Sequence, residues 1–375
     1  MKIGAYEFSL REMAGSMGDF GVLFPLAIGY IVVCGLDPAG LLVMMGLTNV
    51  VTGLVYRLPM PVEPMKVLAA VAIAQHWSPS MVYASGFAMG VLCLFLALTG
   101  LMGWLARVTP WSVVRGIQLA LGVLLALQAL RMIAPGGWLL GMLSVAIVLL
   151  LRRNRYAPAA LVLMALGVAI MFAKGHLAEL QAPVFALPQR TGFSLAEIWQ
   201  SLIRAGFSQL PLTATNAVIA TAVLIKQYWP ERPVSETRLA LNMGVINLIS
   251  PLFGGMPLCH GAGGLAGQYY YGARTGGANI IEGLLEVAMG LLLAGSIAGL
   301  FAAFPVPIIG AMMFLVGIEM TKFARDVRWS LDLIPLLATL AVSLWVNMGI
   351  GFVAGLIVYY LLQWCKYRRH PASPA

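Results

Sequence analysis

Long apolar runs, punctuated by short polar, glycine-rich or proline-rich stretches, follow one another from about residue 14 to residue 364. They lack the alternation of apolar and polar positions that marks a barrel strand, and most approach the roughly 20 residues a helix needs to cross a bilayer. The pattern predicts spans at 14–33, 38–56, 80–104, 110–132, 137–151 and 157–173, with a half-helix at 64–76. A polar connection, 174–204, follows, and its end from Ser194 to Arg204 is a candidate interfacial helix. The second set is 205–225, 236–253, a half-helix at 260–271, then 277–303, 305–321, 332–348 and 350–364. Residues 1–13, with Lys2, Glu7, Arg11 and Glu12, read as a short amphipathic lead-in at the surface.

Two runs cannot be ordinary spans. The first is Leu58-Pro59-Met60-Pro61-Val62-Glu63-Pro64-Met65-Lys66. Its prolines force extended backbone and also restrict the residues before them. Pro64 then suits the first turn of a helix, where its missing N–H costs nothing. The second is Met256 to Tyr269, which carries Pro257 and Gly261, Gly263, Gly264 and Gly267. It predicts an extended entry up to Cys259 and a short helix from His260 or Gly261. Irregular backbone at membrane depth is tolerated only where it is buried in protein or lines a cavity. A helix beginning there offers free N–H groups and a partial positive charge to an anion; a re-entrant loop that only packs is the alternative.

Charge gives an independent test. From a cytoplasmic N-terminus, Arg57, Arg107, Arg152 to Arg155, Lys226 to Arg238, Arg274, Lys322 to Arg328 and Lys366 to Arg369 all fall inside. Arg131, Lys174 and Arg190 fall outside, with Arg204 at the end of the same external connection, fewer than lie inside, as the positive-inside rule requires. Both termini are then cytoplasmic. Seven segments per half force the halves to be inverted relative to each other, so internal symmetry should be visible. Gly46-Leu47-Thr48-Asn49 aligns with Gly244-Val245-Ile246-Asn247 at an offset of 198, and the same offset carries Pro59 onto Pro257. The expected fold is an all-α polytopic membrane protein of about 14 segments, a seven-plus-seven inverted repeat with half-helices as segments 3 and 10. The first repeat is 1–173, the connection 174–204, the second repeat 205–365 and a cytoplasmic tail 366–375.

Composition narrows the function. The chain is 61% hydrophobic and 10% charged, against roughly 25% charged in soluble proteins. The net charge of +9 belongs to the cytoplasmic loops and gives no reason to expect nucleic acid. Cys34, Cys93, Cys259 and Cys365 have no metal or redox spacing, so no metal or cofactor is expected. No nucleotide fingerprint, Walker loop or catalytic triad spacing is present, which disfavours an enzyme.

Charges inside a membrane are expensive and mark functional candidates. Glu63 is equally well read as a cap paired with Lys66. Lys66, a cation at a helix N-terminus, is misplaced unless an anion joins it. Gln209, Thr213 and Asn216 fall at i, i+4 and i+7, one helix face. Ser16 and Asp19 form a second pair at i, i+3. Asn279, Glu282 and Glu286 form a stripe that suits a proton relay or helix cross-links. Glu319 beside a basic cluster reads as structural.

Gly18-Asp19-Phe20-Gly21, Pro59 to Lys66, Gln209-Leu210-Pro211-Leu212-Thr213 and Pro257-Leu258-Cys259-His260-Gly261-Ala262-Gly263-Gly264 together resemble the molybdate-transporter family related to the SulP sulfate permeases. The resemblance runs over nearly the whole chain. It implies the fold shared with uracil permeases, in which a core domain carries substrate between segments 3 and 10 and moves against a gate domain. It implies a tetrahedral oxyanion, molybdate or sulfate, and a chain without the STAS domain of typical sulfate permeases. The expected activity is secondary active transport across the cytoplasmic membrane. The substrate would sit at the half-helix N-termini among Asp19, Glu63, Pro64, Met65, Lys66, Gln209, Thr213, Asn216, Cys259, His260, Gly261, Ala262 and Gly263. A coupling proton would be carried by Asp19, Glu63, Glu282 or Glu286. The expected partners are the oxyanion, the proton and the lipid bilayer, with a homodimer left open. A permease for another anion or a nucleobase, and an anion channel, are the competing readings.

Overall fold

A computed structural model describes residues 2–151, 159–175, 182–322 and 330–369. The N-terminal strands β1 (Lys2–Ile3) and β2 (Tyr6–Glu7) form a small hairpin ahead of α1 (Leu10–Ser16). A 3-10 turn over Met17–Asp19 leads into α2 (Phe20–Val32). Then come α3 (Pro38–Tyr56), β3 (Glu63–Pro64), α4 (Lys66–Ala74), α5 (Pro79–Leu98), α6 (Leu101–Val108), α7 (Trp111–Gly136), α8 (Trp138–Leu151) and α9 (Ala159–Ala173). The second half holds α10 (Leu195–Tyr228), α11 (Glu236–Ile249), β4 (Leu258–Cys259), α12 (Ala262–Tyr271), α13 (Gly277–Ala303), α14 (Val306–Lys322), α15 (Leu333–Trp345) and α16 (Met348–Arg369). Among the described residues, six helices are long and apolar enough to cross a membrane unaided.

Local chemistry sets the helix starts. The Asp37 carboxylate accepts from Gly40 N–H and Ser78 Oγ accepts from Met81 N–H, with Pro38 and Pro79 in the first turns of α3 and α5. A capping box, Ser194 with Glu197, opens α10. From there helical bonding runs unbroken to Tyr228, so Ser194–Arg204 is the head of one 34-residue helix and not a separate element. The expected span 80–104 is in fact two helices, because Gly100 takes φ 72° and turns the chain between α5 and α6.

The helices pair in two groups. In the core group α3 packs along α13 and α5 along α11, the most extensive core contacts. In the gate group α7 packs along α14 and α15, and α15 along α16. The core pairs are segments 2 with 11 and 4 with 9, which the inverted repeat exchanges. Small residues make the approach close, as expected where lipid supplies no hydrophobic force between helices. A Cβ on Gly46 would stand 2.5 Å from Gly283 O, and one on Gly244, the matched position, 2.9 Å from Leu94 N. A Cβ on Gly283 would overlap the Gly46 carbonyl. Gly283→Leu is therefore expected to push α3 from α13 and destabilise the protein by about 1–3 kcal/mol. A thermal unfolding curve in detergent indistinguishable from that of the unchanged protein would refute this contact.

The N-terminal lead-in is pinned to the end of α12. Glu12, 1% exposed, accepts from the N–H groups of Arg274 and Thr275, both at 3.0 Å. Burial pushes its carboxyl above the ordinary range, opposed by those hydrogen bonds.

Candidate functional site

The two breaks are one structure. β3 and β4 pair antiparallel, Glu63 opposite Cys259 and Pro64 opposite Leu258, and Met65 N–H donates to Pro257 O at 2.9 Å. Pro64 thus lies in the ladder, not in the first helical turn as the sequence suggests. Each strand then feeds a short helix: α4 begins at Lys66 and α12 at Ala262, after N-cap residues Met65 and Gly261 that carry no side-chain cap. Because the strands are antiparallel, the helices leave the ladder in opposite directions, and both turn their N-termini toward it.

Amides hold the ladder in place. Asn247 on α11 grips Leu258, donating to its carbonyl at 2.6 Å and accepting from its N–H at 2.8 Å. Asn279 on α13 grips Met60 in the same manner, at 2.6 and 2.8 Å. Met60 and Leu258 are related by the same offset of 198 that links the repeats. Asn279 also donates to Asn49 at 2.9 Å, and Asn49 donates to Glu286 at 2.8 Å. A chain of hydrogen bonds therefore joins the carboxylate of Glu286 to the backbone of the first break. Glu282 is buried on the same helix.

The charges sit where the helices start. The Lys66 ammonium pairs with the Glu63 carboxylate, at 9% and 2% exposure. That carboxylate lies against the first turn of α12: a Cβ on Gly261 would stand 3.0 Å from Glu63 Oε2, and one on Gly264 would collide with Oε1. Glu63 thus places negative charge beside the positive end of α12. Gly263, between them, is exposed, and a Cβ there would meet nothing within 4 Å.

Gln209 on α10 accepts from Val67 N–H at 2.9 Å, satisfying a first-turn donor of α4, and donates to Thr213 Oγ1 at 3.0 Å. Both are buried. Asn216 is only half-buried. The reason is that Thr213–Ala220 is π-helical, so each residue advances the face by less than in an α-helix and Asn216 leaves the Gln209–Thr213 register. The His260 ring is held on both sides, Nδ1 2.9 Å from Pro61 O and Nε2 2.8 Å from Asn242 Oδ1. It clamps one break to the other. Cys259 is buried, its sulfur 3.9 Å from Pro64 O. Asp19 closes the turn before α2, and its side chain, like that of Glu319, lies outside the described residues. The sequence reading missed Asn242 and the seat that Gly264 provides for Glu63. It also saw Asn49 and Asn247 only as repeat markers, although paired amides at matched membrane depth were a usable signal.

A cavity of about 1140 Å³ opens between core and gate and reaches Ala262, the first residue of α12. Among the described residues no cluster of His, Cys, Asp and Glu could hold a metal ion.

The sequence profile of the family described as "Molybdate transporter of MFS superfamily" matches residues 11–125 and 201–320. The chain belongs to the molybdate transporter family. Molybdate transporter 1 of Arabidopsis thaliana is 32% identical over 98% of this chain and 91% of that protein. Molybdate transporter 2 of the same plant is 32% identical over 94% of this chain and 87% of that protein. Molybdate transporter family members therefore match both repeats. The fold is that of the transmembrane domain of a cyanobacterium bicarbonate transporter, BicA, with a TM-score of 0.65 at 16% identity over 92% of this chain and 97% of that one. It is also that of SLC26A9, with a TM-score of 0.71 at 13% identity over 96% of this chain and 66% of that one. These matches carry the seven-plus-seven architecture expected from the inverted repeat. The solved structures carry the fold alone; membership of the molybdate transporter family makes the chain a multi-pass membrane protein of anion transport.

Proposed function

We propose that this chain is a secondary transporter of molybdate, driven by protons, in the cytoplasmic membrane with both termini inside. The observation that carries the proposal is the ladder of β3 and β4, which brings two half-helix N-termini and Lys66 to one place inside the core group. A tetrahedral dianion needs fixed donors and compensating charge when it leaves water. Two helix N-termini, each equivalent to about half a positive charge, and one ammonium approach that requirement. Met65, Lys66 and Gly261 to Gly263 would supply the donors, with Gln209 and Thr213 fixing the start of α4. Sulfate shares the charge and shape of molybdate and is the natural competitor.

Glu63 is the favoured proton carrier among Asp19, Glu63, Glu282 and Glu286. Its carboxylate already stands at the start of α12 beside Lys66. An arriving dianion would face that negative charge at close range, and protonation of Glu63 removes the repulsion. Movement of the core group against the gate would then carry substrate and proton together.

Purified protein in liposomes should accumulate labelled molybdate when the outside is made acidic, and excess sulfate should compete. Glu63→Gln should abolish accumulation driven by the proton gradient while exchange of internal for external molybdate continues. Gradient-driven accumulation by Glu63→Gln would remove Glu63 from coupling, and absence of molybdate uptake by the unchanged protein would overturn the reading as a whole.

A further inference from the structure

The cavity between core and gate has two unlike walls. The core wall is mostly apolar, with Ile219, Ala220, Val223 and Leu224 from α10, and ends at Ala262. The gate wall carries Ser112 and Arg115 at the start of α7, and Arg107 stands beside them at the end of α6, a helix that packs on α5, α10 and α11.

Three features of the gate wall converge. First, α7 is a 26-residue helix whose N-cap is Pro110, with no side-chain cap; Val113 and Val114 N–H donate to Pro110 O at 3.1 and 3.2 Å, so the N–H groups of Trp111 and Ser112 are the ones a helix of this kind leaves to other acceptors. Second, Ser112 in that turn is 6% exposed, and its Oγ has no hydrogen-bond partner among the described residues. A buried hydroxyl left unpaired costs about 1–3 kcal/mol, so such a group usually has a ligand or water to meet. Third, Arg115 stands three residues on, one turn along the same face. Its Nη1 donates to Gln118 Oε1 at 2.9 Å, and its guanidinium lies 5.2 Å from the centre of the Trp111 ring. Those contacts fix the plane of the guanidinium beside the first turn of α7. Arg107, whose Nε donates to Gly103 O at 3.2 Å, adds a second positive charge. The opposing charge on the lining is Asp332, which accepts from the Ser330 hydroxyl at 3.2 Å. Among the described residues, the charged lining is Arg107, Arg115 and Asp332, one more positive charge than negative.

We propose that the gate wall holds a second oxyanion site, formed by the first turn of α7 with Ser112 and Arg115 and faced by Arg107 of α6 across the same cavity, at which the tetrahedral substrate waits before reaching the start of α12. The proposal rests on the transport reading above and deepens it. Two sites face each other across one cavity, each at a helix N-terminus: α7 on the gate and α12 on the core. The gate site shares its charge with Asp332 and lies open to the cavity, so it binds more weakly than the site beside Lys66. Its role is to hold anion next to the core group while that group is empty, so that loading does not wait for an encounter from bulk water.

Molybdate binding to the purified, full-length protein tests it by isothermal titration. The unchanged protein should show two binding events, one tight and one weak. Lys66→Met should remove or weaken the tight event and spare the weak one. Ser112→Ala and Arg115→Gln should each weaken the weak event by about 10-fold or more, the range for charged hydrogen bonds, and spare the tight one. Arg115→Lys, which keeps the charge and loses the fork, should recover part of it. Ser112→Ala is the smallest change available and guards against misfolding, which size-exclusion profiles report directly. A single binding event in the unchanged protein overturns the second site. So does a weak event that Ser112→Ala and Arg115→Gln both leave intact. A tight event that survives Lys66→Met counts instead against the core site and leaves the gate site standing.

Discussion

Lys66→Met is expected to weaken molybdate binding by about 10- to 150-fold, the equivalent of a charged hydrogen bond worth roughly 1.5–3 kcal/mol. Lys66 is the first residue of α4, where the helix dipole disfavours a cation. Glu63 offsets that cost in the structure, and a dianion would do so in the bound state. The substitution also leaves Glu63 buried without the ammonium beside it, and breaking a buried pair from one side costs about 3–5 kcal/mol. Stability and affinity must therefore be separated. The double variant Lys66→Met with Glu63→Gln removes the stranded charge and should recover most of the lost thermal stability. It should not recover the affinity, because the cation is still missing. Thermal unfolding in detergent and molybdate titration, run on the same preparations, give both quantities. Affinity at the level of the unchanged protein in the single and double variants would take Lys66 out of the binding site.

Adjacent glycines of α12 are expected to behave in opposite ways. Gly264→Ala should abolish uptake and lower stability, because its Cβ would collide with the Glu63 carboxylate and come within 2.9 Å of Pro61 Cβ. Pro61 O is bonded to the His260 ring, and the Glu63 carboxylate, on a backbone fixed in the strand pair, can retreat only by turning away from its place beside Lys66. Overpacking at such a place costs about 1–3 kcal/mol and displaces the charge that the site is built around. Gly263→Ala should fold at least as well as the unchanged protein, since the added Cβ meets nothing within 4 Å and alanine favours a helix over glycine by about 1 kcal/mol. Gly263→Val extends the same side chain into open space where the anion is expected, and should lower binding without loss of folded protein. Uptake and unfolding temperature, measured for the three variants together, decide the matter. Equal damage at both glycines would show that crowding of α12 as a whole, and not the seat of Glu63, governs this end of the site.

Much of the architecture was written in the apolar pattern. The half-helices, the inverted repeat and the pairing of Pro59 with Pro257 followed from proline positions and one offset. The parts that escaped are those made by tertiary contact. Nothing in Leu258-Cys259 says that its strand partner is Glu63-Pro64, because two-residue strands have no alternation to read. The stripe of Gln209, Thr213 and Asn216 assumed α-helical spacing, and π-helical turns broke it. Glu63 and Lys66 at i, i+3 could be paired from sequence alone, yet the placement of that carboxylate against Gly261 and Gly264 depends on the second repeat arriving beside the first. Ser112 and Arg115 carried no signal at all in the chain, since Pro110-Trp111-Ser112 is an ordinary helix start.

That dependence has a consequence for how the protein is made. Met65 N–H finds its acceptor at Pro257 O, and Met60 is gripped by Asn279. When the ribosome has delivered the first seven segments, the polar backbone around Pro59 to Met65 still lacks the partners that satisfy it, and they lie about 200 residues away in chain still to be synthesised. The first half therefore enters the membrane with a breach in it, held by water, lipid headgroups or an insertion factor, and the breach closes only when α12 and α13 arrive. Two separately expressed halves should each be short-lived in the membrane and survive together, with the strand pair as the seam along which they join.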